Sequence, residues 1–494
     1  MNKLRNSIGS LSILLLLLII MGSAKNVYGT SILANSGSPA DIQAAVDQVS
    51  AAGGGTVSVP AGTFTFNPPM NGIGVSLPPS VSLIGAGIGQ TVLQETVNSG
   101  QSKMISSTGQ FITNIGVQGS PIRVSGITFK GFVLDEVVTN NVGLSLSSQK
   151  DFRVDHCSFL DFDSCGISTS GNLGGTWPMN YILTRGVIDH CSFDNPYKDA
   201  WAPKNSSVTQ WAVWGYGIIV VGDYCTWDPN IADYLGQYNP ILNYSYTLSN
   251  GGQLSVPTPA PVYIENCDFT RCRHAIASNG NAYYISRYNH FQKASPYGQC
   301  DVHGNAGNGI GGRGLESYSN IFDLSDESYS FGQDAAVDIR GGGGVCFNNT
   351  VILNPSYGTP TVLLLTESIP PYDVEQFYIW DNTAKLTDGT PIDFNSRINN
   401  NQAGYVQGVN YFLRAPTQAQ DGFSYTPFVY PHPLVSGEVS TQTFTQTFSS
   451  TTQTVTTIVG PGSTSSTPLV IVIFVFAVIA IAVWRTKTKH IFSQ

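Results

Sequence analysis

RVDHCSF at 153–159, VIDHCSF at 187–193 and YIENCDF at 263–269 are three copies of one pattern. It continues, loosened, in SRYNHF ending at Phe291, ESYSNIF ending at Phe322, CFNNTV ending at Val351 and YIWDNTA ending at Ala384. Two residues before each closing residue stands Cys157, Cys191, Cys267, Asn289, Asn320, Asn349 or Asn382. The intervals are similar except between Cys191 and Cys267, where an insertion from Trp201 to Pro261 intervenes. A second column runs beside the first, with Leu144, Ile167, Ile218, Ile276, Val302, Val337 and Val362 in GLSL, GIST, GIIV, AIAS, DVHG, AVDI and TVLL. Each copy is a short strand-like run bounded by Gly, Ser or Asn turns. Such runs, recurring every 20–50 residues or so, mean a solenoid, a propeller or an array. Unequal periods that keep one residue type in one column point to an all-β chain wound as a parallel β-helix. In that winding, equivalent residues stack about 4.8 Å apart and loops can grow without breaking the columns. A propeller, with four strands in each blade, matches the spacing less well.

The winding makes Cys157, Cys191 and Cys267 stacked interior thiols, since a free cysteine behaves as a small buried hydrophobe. Cys165, Cys225, Cys272, Cys300 and Cys346 are better placed for disulfides, with the pairing left open. No CxxC pair occurs, so a zinc site of that kind is not indicated.

Composition sets the class. Charged residues are 11% of the 494, against about 25% in average soluble proteins. The formal net charge is −9, which speaks against a nucleic-acid partner. Lys3 and Arg5, the apolar run Leu11 to Met21 and small residues after it read as a secretory signal peptide over 1–29. Residues 30–434 are then an ectodomain and 435–467 a Ser/Thr-rich stalk too poor in apolar residues to fold alone. Residues 468–485 read as a transmembrane helix and 486–494, with Lys487 and Lys489, as a cytoplasmic tail. The expectation is a single-pass, cell-surface glycoprotein with sequons at Asn205, Asn243 and Asn348, of unknown oligomeric state.

At the front, SPADIQAAVDQVSAAGGG offers Ser38 as N-cap, Pro39 in the first turn, Asp41 as a capping-box acid and an apolar face of Ile42, Ala45, Val46 and Val49. The spacing predicts a helix that covers the open end of the β-helix. With the strand that follows, DIQAAVDQVSAAGGGTVSVPAGTF resembles the opening of pectate-lyase-like right-handed parallel β-helix proteins. VYIENCDF, YYISRYNHF, DVHG, RGLESYSNIF and the closing YPHPL resemble the same superfamily, over roughly 31–434. The resemblance specifies fold and leaves the reaction open, since that superfamily holds lyases, hydrolases, epimerases and non-catalytic surface proteins.

Two constellations follow. Asp301 and His303 flank the inward Val302 and face outward. Aligning DVHG with AVDI puts Asp338 one coil from His303, in the same slot, with Arg340 two residues further on. A histidine beside a carboxylate can act as general acid or base. Arg340 and Arg313 can hold an acidic sugar, and Glu316 can supply a further carboxylate. The competing reading is a hydrogen-bonded polar ladder. On the other column, Asp155, Asp189 and Glu265 share one slot and Arg287 takes the next. Stacked carboxylates repel and call for a cation or an arginine. The resemblance implies Ca²⁺ bridging a uronate carboxylate there, with Arg287 as the base. His156 and His190 stack beside this column and read as a turn ladder. Trp211 and Trp214, in the insertion with Trp201 and Trp227, either stack on sugar rings or fix the loop. The glycine-rich runs lack the Lys-Ser/Thr of a phosphate loop. The functional expectation is a polysaccharide lyase or glycoside hydrolase, the latter needing two carboxylates about 5–9.5 Å apart. The alternative is a non-catalytic adhesion or envelope protein that binds glycans.

Overall fold

The repeated motif is a corner. In the computed structural model, RVDHCSF divides into the strands Phe152–Asp155 and Ser158–Leu160, with His156 and Cys157 turning between them. The next strand in the chain, Cys165–Ser170, lies in a third sheet, and Gly186–Asp189 then returns beside Phe152–Asp155. The structure describes residues 29–436, except 70–71, 98–102, 109–121, 133–140, 148–151, 163, 171–183, 185, 196–215, 222–261, 280–281, 293–297, 305–311, 313, 326–334, 357, 366–373, 401–403 and 423, and it describes the strands Ser440–Phe448 and Thr451–Val459.

Repetition of that three-strand turn gives three sheets among the described residues. Sheet 1 has twelve strands, from Thr30–Leu33 to Tyr411–Phe412. Sheet 2 has eleven, from Gly62–Thr65 to Pro391–Ile392, and sheet 3 has ten, from Ile73–Leu77 to Ile398–Asn399. Their pairings are parallel except for the antiparallel closing pair, Thr383–Leu386 with Pro391–Ile392. The chain is therefore the parallel β-helix its repeat predicts. The insertion does not break the columns: Asp189 pairs directly with Glu265.

The corner between sheets 1 and 2 is built the same way in coil after coil. His156, His190, Asn266, Tyr288, Ser319, Asn348 and Asp381 all have φ between 51° and 57°, in the left-handed region. A side chain there costs about 1 kcal/mol or more, so the surrounding coil must hold it. The next residue points inward and answers a buried carbonyl of the coil before. Cys157, Cys191 and Cys267 direct their thiols at the carbonyls of Val124, Val154 and Ile188, at 3.6–3.7 Å. Asn289, Asn320, Asn349 and Asn382 donate Nδ2–H to Ile264, Ser286, Ser317 and Cys346, each at 2.9 Å. Behind the corner Phe129, Phe159, Phe193, Phe269, Phe291 and Phe322 stack with centroids 4.5–5.1 Å apart.

The seven described cysteines, Cys157, Cys165, Cys191, Cys267, Cys272, Cys300 and Cys346, are buried free thiols. That overturns the disulfide expectation for Cys165, Cys272, Cys300 and Cys346, whose small side chains fill interior positions. Cys225 lies outside the described residues.

The helix Pro39–Ala51 forms as its signals predict: Ser38 Oγ accepts from the Asp41 N–H, and Ile42, Ala45, Val46 and Val49 are buried. It packs against the first strands of sheets 1 and 3. The Asp41 carboxylate accepts from Ser36 Oγ. At the other end, residues 424–436 run back across the outer face of sheet 1. Phe428 and Leu434 pack on Val187, Tyr263, Ile285 and Tyr318 there. Inside the expected stalk, Ser440–Phe448 pairs antiparallel with Thr451–Val459. The stalk reading rested on low apolar content, whereas alternating β-branched threonines favour strands. The signal peptide, the transmembrane span and the tail fall outside the described residues, as do Asn205 and Asn243. Among the described residues no helix is long and apolar enough to cross a membrane.

Replacing Asn320 by Ala strands the Ser286 carbonyl and the Asn289 N–H together. The expected loss is about 3 kcal/mol in a denaturant melt of the full chain, and Cys267→Ala, which removes only a weak donor, should cost clearly less.

Candidate functional site

Sheet 3 carries the first constellation, in a register two residues away from the expected one. Asp338 pairs with Asp301, and Ile339 with Val302. Cys300, in place of Val302, stacks on Ile276. A two-residue slip preserves the alternation of inward and outward side chains, so hydrophobic pattern alone does not detect it. The outward row therefore reads Ala277, Asp301, Asp338, and His303 stands level with Asn279 and Arg340.

This juxtaposition remains a cluster. Arg340 donates to Asp301 through Nε at 2.9 Å and Nη2 at 2.6 Å, and its Nε lies 3.7 Å from Asp338 Oδ2. His303 Nδ1 lies 3.8 Å from Asp301 Oδ2. The two carboxylates are buried, while the His303 side chain is 42% exposed. Burial alone would raise the Asp301 carboxyl, but positive charge beside it, that of Arg340 first, outweighs it and holds it below its ordinary range. Asp301 is thus a fixed anion 3.8 Å from the His303 imidazole. With both oxygens held by one guanidinium, it is a poor proton donor.

Two residues complete the wall. His274 is buried, and its Nδ1–H donates to the Gly298 carbonyl at 2.6 Å. Burial, aided by Arg273 and Arg340 against the pull of Asp301, pushes its pKa down to about 3, so it is neutral. Gly298 lies against Asp338: a Cβ at 298 would sit 2.3 Å from Asp338 Cβ. Sequence reasoning missed both. His274 directly precedes the strand Ile276–Asn279, where alternation no longer assigns a face, and Gly298 read as one more turn glycine.

The remaining predicted residues lie elsewhere. Arg287 and Glu316 belong to sheet 1, under the returning segment. Arg287 is fully buried and donates to Glu265 Oε2 at 2.7 Å, to Tyr318 Oη at 3.1 Å and to the carbonyls of Phe428 and Val429 at 2.9 and 3.0 Å. Although burial opposes it, Tyr318 and Glu265 raise its pKa well above the ordinary arginine value. A base must be reachable and able to lose a proton, and Arg287 is neither. Glu316 is buried and accepts from Tyr283 Oη at 3.3 Å and from Tyr425 Oη at 2.5 Å. Arg313, Trp211 and Trp214 lie outside the described residues.

The carboxylate column is present, since Asp155 pairs with Asp189 and Asp189 with Glu265. Its oxygens are already engaged. Asp155 accepts from Arg123 at 2.6 Å twice, Asp189 from Arg153 at 2.9 Å twice, and Glu265 from Arg287 and from the His432 N–H. Three guanidinium charges stand where Ca²⁺ was expected, so the donor set does not suit a cation. Among the described residues no group of three or more His, Cys, Asp or Glu has metal-site geometry. His156 and His190 do stack, with centroids 5.2 Å apart and planes within 2°, each held through Nδ1 by its neighbouring Asp.

Two measurements separate these faces. Arg287→Met should cost about 3–5 kcal/mol in a denaturant melt by leaving the Glu265 charge buried and unpaired, and adding Glu265→Gln should recover part of it. His274 takes up its proton at about 3 when folded and near 6.5 when unfolded, so its contribution is complete above pH 6.5 and shrinks as the pH falls towards 3. Stability should drop by roughly 3 kcal/mol from pH 7 to 4, and His274→Gln should flatten that slope.

The chain matches no protein-family model. It is 39% identical over 93 residues to the mannuronan C5-epimerase AlgE3 of Azotobacter vinelandii, a stretch that makes up 18% of this chain and 5% of that protein. Among solved structures it is similar to the tailspike protein of E. coli bacteriophage HK620 in complex with pentasaccharide. That likeness has 13% identity and a TM-score of 0.44 and covers 71% of this chain and 54% of the tailspike. It is also similar to an alginate lyase from Paenibacillus sp. str. FPU-7, at 12% identity and TM-score 0.39, covering 76% of this chain and 92% of the lyase. A hyperthermoactive exopolygalacturonase from Thermotoga maritima shows 10% identity and TM-score 0.37, covering 72% of this chain and 88% of that one. These structural likenesses add nothing to what the strand order already establishes.

Proposed function

We propose that the protein acts on an acidic polysaccharide at the outer face of sheet 3, by proton abstraction beside a uronate carboxylate. The observation that carries this reading is the half-exposed His303, turned by Nδ1 toward an Asp301 that Arg340 keeps ionised. In the proposed step, His303 takes the C5 proton through Nε2, and the electron pair left behind is held on the substrate carboxylate. From that anion one of two outcomes follows: the 4-linked sugar leaves, its oxygen taking a proton from the His303 imidazolium or water and an unsaturated end remaining, or water reprotonates C5 from the opposite face and inverts it. Arg340 places positive charge near the developing anion. Hydrolysis is less well supported: it needs a carboxyl with a raised pKa as acid, and Arg340 acts in the opposite direction on Asp301. The short match to a protein named as a mannuronan C5-epimerase supports chemistry at C5. The signal-like residues 1–29 and the apolar run 468–485 ahead of basic residues support placement at the cell surface.

The full chain, incubated with polymannuronate, polyguluronate or polygalacturonate in D₂O, with Ca²⁺ and with chelator in parallel, should give either unsaturated ends or deuterium at C5. Unsaturated ends mark elimination, deuterium at an inverted C5 marks epimerisation, and new reducing ends with neither mark hydrolysis. His303→Ala should lower whichever of the first two signals is seen by about 100-fold or more at unchanged thermal midpoint. Retention of polymer without any exchange would support the glycan-binding surface protein instead.

A further inference from the structure

The corner ladder has a direction, and therefore an end. The Asn289 backbone N–H donates to Asn320 Oδ1 at 2.9 Å, that of Asn320 to Asn349 Oδ1 at 3.0 Å and that of Asn349 to Asn382 Oδ1 at 2.9 Å. The residue before each does likewise on the backbone: Tyr288 donates to Tyr318, Ser319 to Phe347 and Asn348 to Trp380. Asp381 and Asn382 come next in the two series. Among the described residues no carboxamide or carbonyl of a further coil receives their N–H groups. Asp381 is in the left-handed region at φ 51°, as Asn348 is at φ 54°, and the equivalent N–H groups of Asn348 and Asn349 are directed at the coil that follows.

Beyond this pair lies a cavity of about 610 Å³ whose lining includes Trp380, Asp381, Asn382, Asp393, Phe394 and Arg414. A volume of this order holds a small-molecule ligand. Its polar groups are of both kinds. The two N–H groups call for an acceptor, and the Asp381 carboxylate and Oδ2 of Asp393, whose Oδ1 accepts from the Asn395 N–H, call for donors. The one guanidinium is committed, since Arg414 donates to Asp421 at 2.6 and 2.9 Å. The rim is thus acidic and disfavours an anion, while a cation would leave the N–H pair unanswered. Ile392 and Leu413 in the lining, both partly exposed, provide apolar surface. A ligand that accepts and donates from adjacent atoms, carries no charge and presents an apolar face is a neutral sugar.

We propose that this end cavity, walled by residues 379–384, 391–395 and 413–415, is a second carbohydrate site, for a neutral mono- or oligosaccharide. It is separate from the cluster at His303 and does not depend on the chemistry assigned there. The test is calorimetric titration of the full chain with cellobiose, maltotriose and mannobiose, and with trigalacturonate as the acidic counterpart. A neutral probe should bind at millimolar concentration. Asp381→Asn and Asp393→Asn, both at exposed positions, should each weaken it about tenfold at unchanged thermal midpoint. Neither should change any turnover of acidic polymer. The proposal is overturned if no neutral probe binds, if binding survives both substitutions, or if trigalacturonate binds more tightly than the neutral probes.

Discussion

One buried carbonyl in each coil sets the terms for the rest of this fold. The carbonyl two residues before the corner faces the inward residue of the next coil's corner. Left without a donor it would cost about 1–3 kcal/mol, and the cost would recur along the stack. The chain answers with a thiol in its first half, at Cys157, Cys191 and Cys267, and with a carboxamide in its second, at Asn289, Asn320, Asn349 and Asn382. These two unlike residues share one column because both are small and both donate. The carboxamide does more than the thiol, because its oxygen also accepts the previous coil's backbone N–H. The Asn half is therefore a continuous ladder, and the Cys half relies more on the phenylalanine stack beside it.

That constraint explains what could be read from the sequence and what could not. The Cys and Asn column recurs with a recognisable neighbour on each side, so the winding, the corner and the pairing of Asp155 with Asp189 and Glu265 were all legible. Sheet 3 has no comparable marker. Its residues are anchored only by alternation, and the slip that sets Asp338 beside Asp301 leaves alternation intact. Cys300 was set aside as a bridge former, which removed the one residue that would have corrected the register. The cover over sheet 1 was illegible for a different reason. Arg287 meets Phe428 and Val429 through contacts spanning more than a hundred residues, and those contacts use backbone carbonyls, which no side-chain pattern announces.

The two outer faces show how similar side chains come to different ends. On sheet 1 each carboxylate of the column has its own arginine, and the returning segment caps the remaining donors. Charges so completely matched in a buried setting give a rigid wall, and removing one partner is costly because the other stays behind. On sheet 3 one guanidinium serves two carboxylates, tightly at Asp301 and at longer range at Asp338. The two carboxylates lie beside a histidine that reaches solvent. The difference lies in what covers the charges, more than in the residue types, which are nearly the same.

The same reasoning bears on where a β-helix can bind anything at all. Along its sides, the backbone N–H and carbonyl groups of the paired strands are used by the coils before and after, so side chains are what the sheet faces offer a ligand. At the last coil the pattern stops, and the backbone itself has groups to offer. Asp381 and Asn382 hold the positions of a ladder that would continue if the following strand, Tyr411–Phe412, turned through another such corner. Their backbone does not distinguish them from Asn348 and Asn349 one coil earlier, since Asp381 at φ 51° repeats Asn348 at φ 54°. What differs is that Asn348 and Asn349 have Trp380 and Asn382 ahead of them, whereas Asp381 and Asn382 face a cavity. Binding capacity at that end follows from the repeat's termination, which is why inspection of the motif alone could not reveal it.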